Sequence, residues 1–298
     1  DLAIEEKEQI LTLVPRTPRG GAGKTIAKGG RSMRKLGIPH QQVDDAIMAE
    51  EVQGVRAFGE EQATEYFQGK VTERISEISQ SFAMTEEHAR LGAIKGVIEY
   101  PDDGSDLNLF DEFGVTQENE VALNISASID GAFREKLMKI KRTISKNMRG
   151  LPWTGKVRVF CGDDFFDDVL KNKEVRESFL GWNEAKILRE GYIEPNGKSY
   201  GAFEYGDFIF ENYRGQDGEA AWVHTDKCHM FPIAAKGILF RTRYAPADYI
   251  ETVNTKGKRL YVKPIVMDND KGVKLEVQTN AIHWCRLPKV LMKGKRGS

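Results

Sequence analysis

Between Pro15 and Pro39 the chain carries nine glycines or prolines and seven lysines or arginines in 25 residues, with no acid among them. Such a segment has little apolar surface to bury and much backbone freedom to lose, so it cannot build a core of its own. An irregular stretch of that length in an otherwise globular chain implies an interaction loop or disorder. Residues 1–14 before it hold a small apolar cluster, Ile10, Leu11, Leu13 and Val14. That cluster is too short to bury itself and reads as an arm that docks on something else.

The rest of the chain is globular in pattern. Its 298 residues allow one or two domains. With 44 Lys plus Arg against 45 Asp plus Glu, the net charge of -1 excludes a bare electrostatic nucleic-acid binder. The charge is nevertheless sorted into blocks: +7 over 15–39, -14 over 40–128, +7 over 129–161, -7 over 162–227 and +5 over 284–298. Blocks of this size must neutralise one another within the fold or between copies. No run of 18 apolar residues occurs, so no membrane-spanning helix is expected. The start at Asp1, without an apolar leader-like stretch, reads as trimmed or processed rather than secretory. Three scattered cysteines, Cys161, Cys228 and Cys285, suit a reducing compartment better than a disulfide framework.

Ala63, Phe67, Val71, Ile75, Ile78 and Phe82 recur at helical spacing and predict a long amphipathic helix. Thr85, followed by Glu86 and Glu87, reads as the N-cap of a second helix closed by Gly96. A third helix carries Phe133, Leu137, Ile140, Ile144 and Met148 on one stripe. Strands are expected at 157–160, 200–213 and 237–244, hairpins at 96–110 and 259–279, and a short helix from Pro246. Residues 293–296 read as a basic tail. Helical runs separated from strand runs indicate an α+β fold.

Motifs that could carry chemistry fail on their surroundings. Gly20-Gly21-Ala22-Gly23-Lys24-Thr25 resembles the end of a phosphate-binding loop, but Pro18 stands where the first glycine belongs and the following residues are a poor helix. The carboxylates of Asp163, Asp164, Asp167 and Asp168 lack the second acidic motif that magnesium-diphosphate chemistry uses, so they read as stabilising a helix N-terminus. His224, Cys228, His229, His283 and Cys285 are spaced too irregularly for a structural zinc site. No cofactor or catalytic residue is assigned, and the chain reads as a structural protein rather than an enzyme. The helix bearing Lys139, Arg142 and Lys146 offers a cationic face that can meet phosphates without reading sequence.

The segments Ala49-Glu50-Glu51-Val52-Gln53-Gly54-Val55-Arg56-Ala57-Phe58-Gly59, Thr85 to Gly96, Asn108-Leu109-Phe110-Asp111-Glu112-Phe113-Gly114 and Ala245 to Asn254 come in an order that resembles the major capsid protein family of lambda-like tailed bacteriophages. The closing stretch from Gln278 to Pro288 fits the same family. The resemblance implies the Hong Kong 97 type capsid fold, with an N-terminal arm at 1–14 and an extended loop at 15–55. It further implies a peripheral domain at 56–114 with a spine helix at 60–82, an axial domain at 115–245, and a return to the peripheral domain with a C-terminal tail at 246–298. It implies a structural subunit that self-assembles into hexamers and pentamers of an icosahedral virion shell, put together in the bacterial host cytoplasm. The partners implied are a scaffolding protein, a portal, a decoration protein and packaged double-stranded DNA, with no membrane. On that view Arg16, Arg19, Lys24, Lys28 and Arg31 lie on acidic surface of a neighbour, for which Glu61, Glu65, Glu73 and Glu77 are candidates. Two other readings stay open: an encapsulin-like cargo shell of the same fold, and a phosphate-binding enzyme using Lys24.

Overall fold

The computed structural model describes residues 2–7, 31–53, 66–100, 106–126, 131–180, 199–217 and 220–297. Along the chain run β1 (Leu2–Lys7), β2 (Arg31–Leu36), β3 (Gln41–Met48), α1 (Phe67–Lys95), β4 (Val97–Ile98), β5 (Leu107–Asn108), α2 (Leu109–Glu112), β6 (Val121–Ala122) and α3 (Ala132–Asn147). Then follow β7 (Val157–Cys161), α4 (Asp163–Lys171), α5 (Lys173–Leu180), β8 (Ser199–Tyr205), β9 (Phe208–Tyr213), β10 (Gln216–Asp217), β11 (Ala220–Ala221) and β12 (Lys227–Pro232). The last elements are β13 (Phe240–Tyr244), β14 (Tyr261–Val266), β15 (Gly272–Thr279), β16 (Ala281–Cys285) and β17 (Met292–Lys295). One compact unit comprises residues 1–53 with 244–281, and the other 54–243 with 282–298.

In the first unit, β1 pairs antiparallel with β2, with Leu2 opposite Leu36 and Lys7 opposite Arg31. The segment 31–36, which composition marks as irregular, is therefore a strand, paired along its whole length with Leu2–Lys7. The 259–279 hairpin is present as β14 and β15, and β3 adds to it as a third strand. Register puts Val262, Val277 and Val43 on one face together with Leu275 and Ile47. Leu275 and Val277 are fully buried, while Val266, Val43 and Val262 stay partly open at the rim. The opposite face is polar: Lys274 bonds Glu276 at 2.8 Å and Asp44 at 3.4 Å. Buried Asn280 ties the unit together, its Oδ1 lying 2.7 Å from His40 Nδ1 and its Nδ2 donating to the Pro246 carbonyl at 2.8 Å.

The second unit is built on a six-stranded mixed sheet of order β6-β17-β12-β7-β9-β8. One face is apolar along β7 and β9 (Val157, Val159, Cys161, Phe208 and Phe210), and α3 and α4 cover it. Phe133 of α3 lies 6.3 Å from Phe210, and Phe166 of α4 lies 5.4 Å from Phe203, centroid to centroid. The stripe expected on α3 is the buried one: Phe133, Leu137, Ile140, Ile144 and Met148 are all at most 3% exposed. The other face carries Phe160, stacked on Tyr213 at 4.9 Å, and packs against Leu91, Trp222 and Val223.

Two sequence expectations are corrected here. Thr85 does not cap a second helix, because α1 runs unbroken from Phe67 to Lys95. No residue between 67 and 95 breaks the helix, and the Thr85 hydroxyl donates back to the Ser81 carbonyl at 3.0 Å, one turn earlier. The helix ends as expected at Gly96, whose φ of 90° suits a residue without a side chain and whose N–H reaches Gly92 O. The basic tail is likewise not a tail: Met292–Lys295 is β17, inserted between β6 and β12.

Candidate functional site

The sequence points to charged surfaces rather than to a cleft. Arg16, Arg19, Lys24, Lys28, Glu61 and Glu65 lie outside the described residues, as does the loop motif at 20–25. Arg31 is the first residue of β2, opposite Lys7. Glu73 and Glu77 stand on the exposed side of α1, each already facing a cation one turn away, with Lys70 to Glu73 at 3.1 Å and Arg74 to Glu77 at 2.7 Å. Pairs this exposed contribute about 0 to 1 kcal/mol each.

On α3 the basic residues divide into two groups. Lys136 donates to the Ala122 carbonyl at 2.7 Å, Lys139 pairs with Glu135 at 2.7 Å, and Lys141 pairs with Asp207 at 2.6 Å. The Lys139 hydrogen bond lowers the Glu135 pKa. Arg142 and Lys146, with Arg149 just beyond the helix, are exposed and have no ion pair among the described residues. The helix is fixed at its start by Glu174 of α5, whose two carboxylate oxygens accept from the Phe133 and Arg134 amides at 3.2 and 3.1 Å. Glu174 is itself positioned by Asn172, which accepts from the Glu174 and Val175 amides while donating to Ile125 O. These two residues hold the cationic face in place, and no local spacing in the sequence marks them.

The acidic run at the start of α4 does not converge. Asp163 accepts from Arg214 at 2.8 Å and Asp168 from Arg296 at 3.4 Å. Burial raises the Asp163 pKa, but hydrogen bonds from Arg214 and Asn212 outweigh it and the net shift is downward. Cys228 and His229 are consecutive on β12 and so point to opposite faces of the sheet, while His283 Nδ1 lies 2.8 Å from the Thr242 hydroxyl. Among the described residues no group of three or more His, Cys, Asp or Glu is arranged to hold a metal ion. The three thiols are free and fully buried, and burial pushes Cys285 up to about 12, with Cys161 and Cys228 also raised.

Comparison with known proteins bears on this geometry. The sequence matches the family described as Phage major capsid protein E over residues 1–296. It is 24% identical over 312 residues to the major capsid protein of Pseudomonas phage KPP10, covering 99% of this chain and 87% of that protein. The structure is similar to that of a putative capsid protein of a prophage of E. coli CFT073, with a TM-score of 0.54, 12% identity and coverage of 90% of this chain and 80% of that one. It is also similar to the capsid of Ralstonia phage GP4, with a TM-score of 0.53, 9% identity and coverage of 100% and 84%. With an α+β fold of the Hong Kong 97 type and a family match over nearly every residue, the chain belongs to the phage major capsid protein E family.

Proposed function

We propose that this capsid protein assembles into hexamers and pentamers of an icosahedral shell that encloses double-stranded DNA, and that it performs no catalysis. The observation that carries this reading is the family match from residue 1 to 296. The apolar stripe of α1 supports it: Ile78 and Phe82 are buried within the chain, whereas Phe67, Val71 and Ile75 keep part of their surface open to a neighbour. In this reading residues 1–14 and 15–55 supply arm and extended loop, 56–114 and 246–298 the peripheral domain, and 115–245 the axial domain. Scaffolding, portal and decoration proteins act with it, assembly takes place in the host cytoplasm, and Arg16, Arg19, Lys24, Lys28 and Arg31 rest on the acidic surface around Glu61, Glu65, Glu73 and Glu77 of an adjacent copy. Electron microscopy of purified particles tests the whole: closed shells holding DNA are expected. Shells filled with protein, or a chain that stays monomeric under assembly conditions, would overturn it. Combining Arg16→Glu, Arg19→Glu and Arg31→Glu should lower particle yield severalfold, whereas an unchanged yield would remove the loop from the contact.

The interior role falls to α3. Lys139, Arg142 and Lys146 share its exposed side, and the last two have no ion pair among the described residues. Flexible exposed cations of this kind bind phosphate without sequence preference. A double variant, Arg142→Glu with Lys146→Glu, should leave shell formation intact but weaken DNA binding. The log-log salt slope should fall by roughly 1 to 2. The same slope in variant and parent would place the DNA contact elsewhere.

A further inference from the structure

β13 and β16 form a two-stranded ladder, of which residues 240–243 and 282–285 belong to the second unit. Its register follows from two backbone hydrogen bonds, Ala245 N to Asn280 O and Arg286 N to Leu239 O, both 2.8 Å. Arg241 therefore stands opposite Trp284 and Arg243 opposite Ile282, and strand alternation places Arg241, Arg243 and Arg286 on the same face. The guanidinium groups are not free to disperse. Arg241 Nε donates to the Gly237 carbonyl at 3.0 Å and Arg286 Nη1 donates to the Ile238 carbonyl at 3.2 Å. Adjacent carbonyls of one turn thus hold two like charges side by side, and Arg243 follows two residues along the strand. Burial, then the charges of Arg286 and Arg243, push the Arg241 pKa below its ordinary value. None of the three arginines has an ion pair among the described residues. Trp284, on the same face, is 3% exposed and its indole N–H has no hydrogen-bond partner. Leu239, Ile282 and Trp284 of this face are buried, so what it offers outward is the guanidinium groups, in the planar forks that match an oxyanion.

We propose that this arginine face binds carboxylates of a second copy of the chain and is a contact between subunits. The proposal rests on the shell-building role argued above. Carboxylate is favoured over nucleic-acid phosphate because two of these arginines are fixed and half-buried, as suits one docked partner, whereas exposed phosphate-binding cations are already provided by α3. A shell made of one chain must also supply the opposing charge from its own surface. It has such groups: Asp164 and Asp167, one turn apart on α4, are exposed and have no ion pair among the described residues.

The test compares two triple variants at 241, 243 and 286, one all Arg→Glu and one all Arg→Lys, in a preparation whose parent chain forms shells. A parent that fails to assemble counts against the shell reading itself. With an assembling parent, the glutamate variant should give at least tenfold fewer particles while keeping the circular dichroism of the folded subunit. The lysine variant, which keeps charge but not the forks, should assemble at low salt and lose particles as salt rises. Normal assembly of the glutamate variant, or normal shells with reduced DNA content, would overturn the proposal, the second outcome assigning the face to phosphate. Should the glutamate variant fail to fold, R243K shells treated with a carbodiimide still decide the matter. Mixed isotopically labelled subunits should show an amide link from the substituted side chain to a carboxylate of another chain. Links confined to one chain, or none, would refute the contact.

Discussion

Phe210→Ala should destabilise the subunit by about 3 to 5 kcal/mol, lowering Tm by roughly 6 to 20 °C. The ring is fully buried and lies 5.3 Å from Phe203, 6.3 Å from Phe208 and 6.3 Å from Phe133, so it joins two strands to α3. Removing it opens a void bounded by rings on a sheet and a packed helix, neither of which can collapse inward without losing its own contacts. Urea unfolding of the unassembled subunit measures the effect. A loss under about 1 kcal/mol would mean that the site relaxes and that the aromatic cluster is not the centre of this core.

Acid should weaken the same unit before most carboxylates titrate. His229 is held down to about 4, first by burial and then by repulsion from Lys95, Lys227 and Lys293, with Glu120 opposing. His283 is likewise held down to about 4 by burial and Arg90, with Glu86 opposing. In the unfolded chain both imidazoles take up a proton near pH 6.5. Between those values the unfolded state binds more protons than the folded one, so stability is complete above about pH 7 and is lost as pH falls toward 4. From pH 7.5 to 5 each histidine removes about 2 kcal/mol. His229→Gln should flatten that slope by its share in denaturant titrations of the subunit. Parallel pH profiles for variant and parent would show that His229 already protonates in the fold.

What the sequence reveals depends on how far apart the interacting residues are. The α3 stripe is legible because one helix packs on one apolar sheet face, so a local period reports a tertiary contact. The join between the two expected helices at Thr85 is not, because a threonine that can cap a helix can also sit inside one by bonding the carbonyl a turn back. Residues 292–295 alternate Met, Lys, Gly, Lys, with Met292 and Gly294 buried, but their charge masks the strand period. The pairing of β3 with β15, such as Val43 with Val277, joins segments far apart in sequence and leaves no local trace. Of the arginine face, Arg241 and Arg243 are visible as alternate residues of a strand, whereas Arg286 joins them only through the ladder register.

The place of β17 in the sheet also sets an order of events in the cell. Its residues are synthesised after every other strand of that sheet, yet they sit between β6 and β12 and pair with both. A nascent chain that has made everything through β12 still has an open edge there and cannot close the sheet. The six-stranded sheet therefore closes only after translation has passed residue 295, so folding of this unit completes late in synthesis.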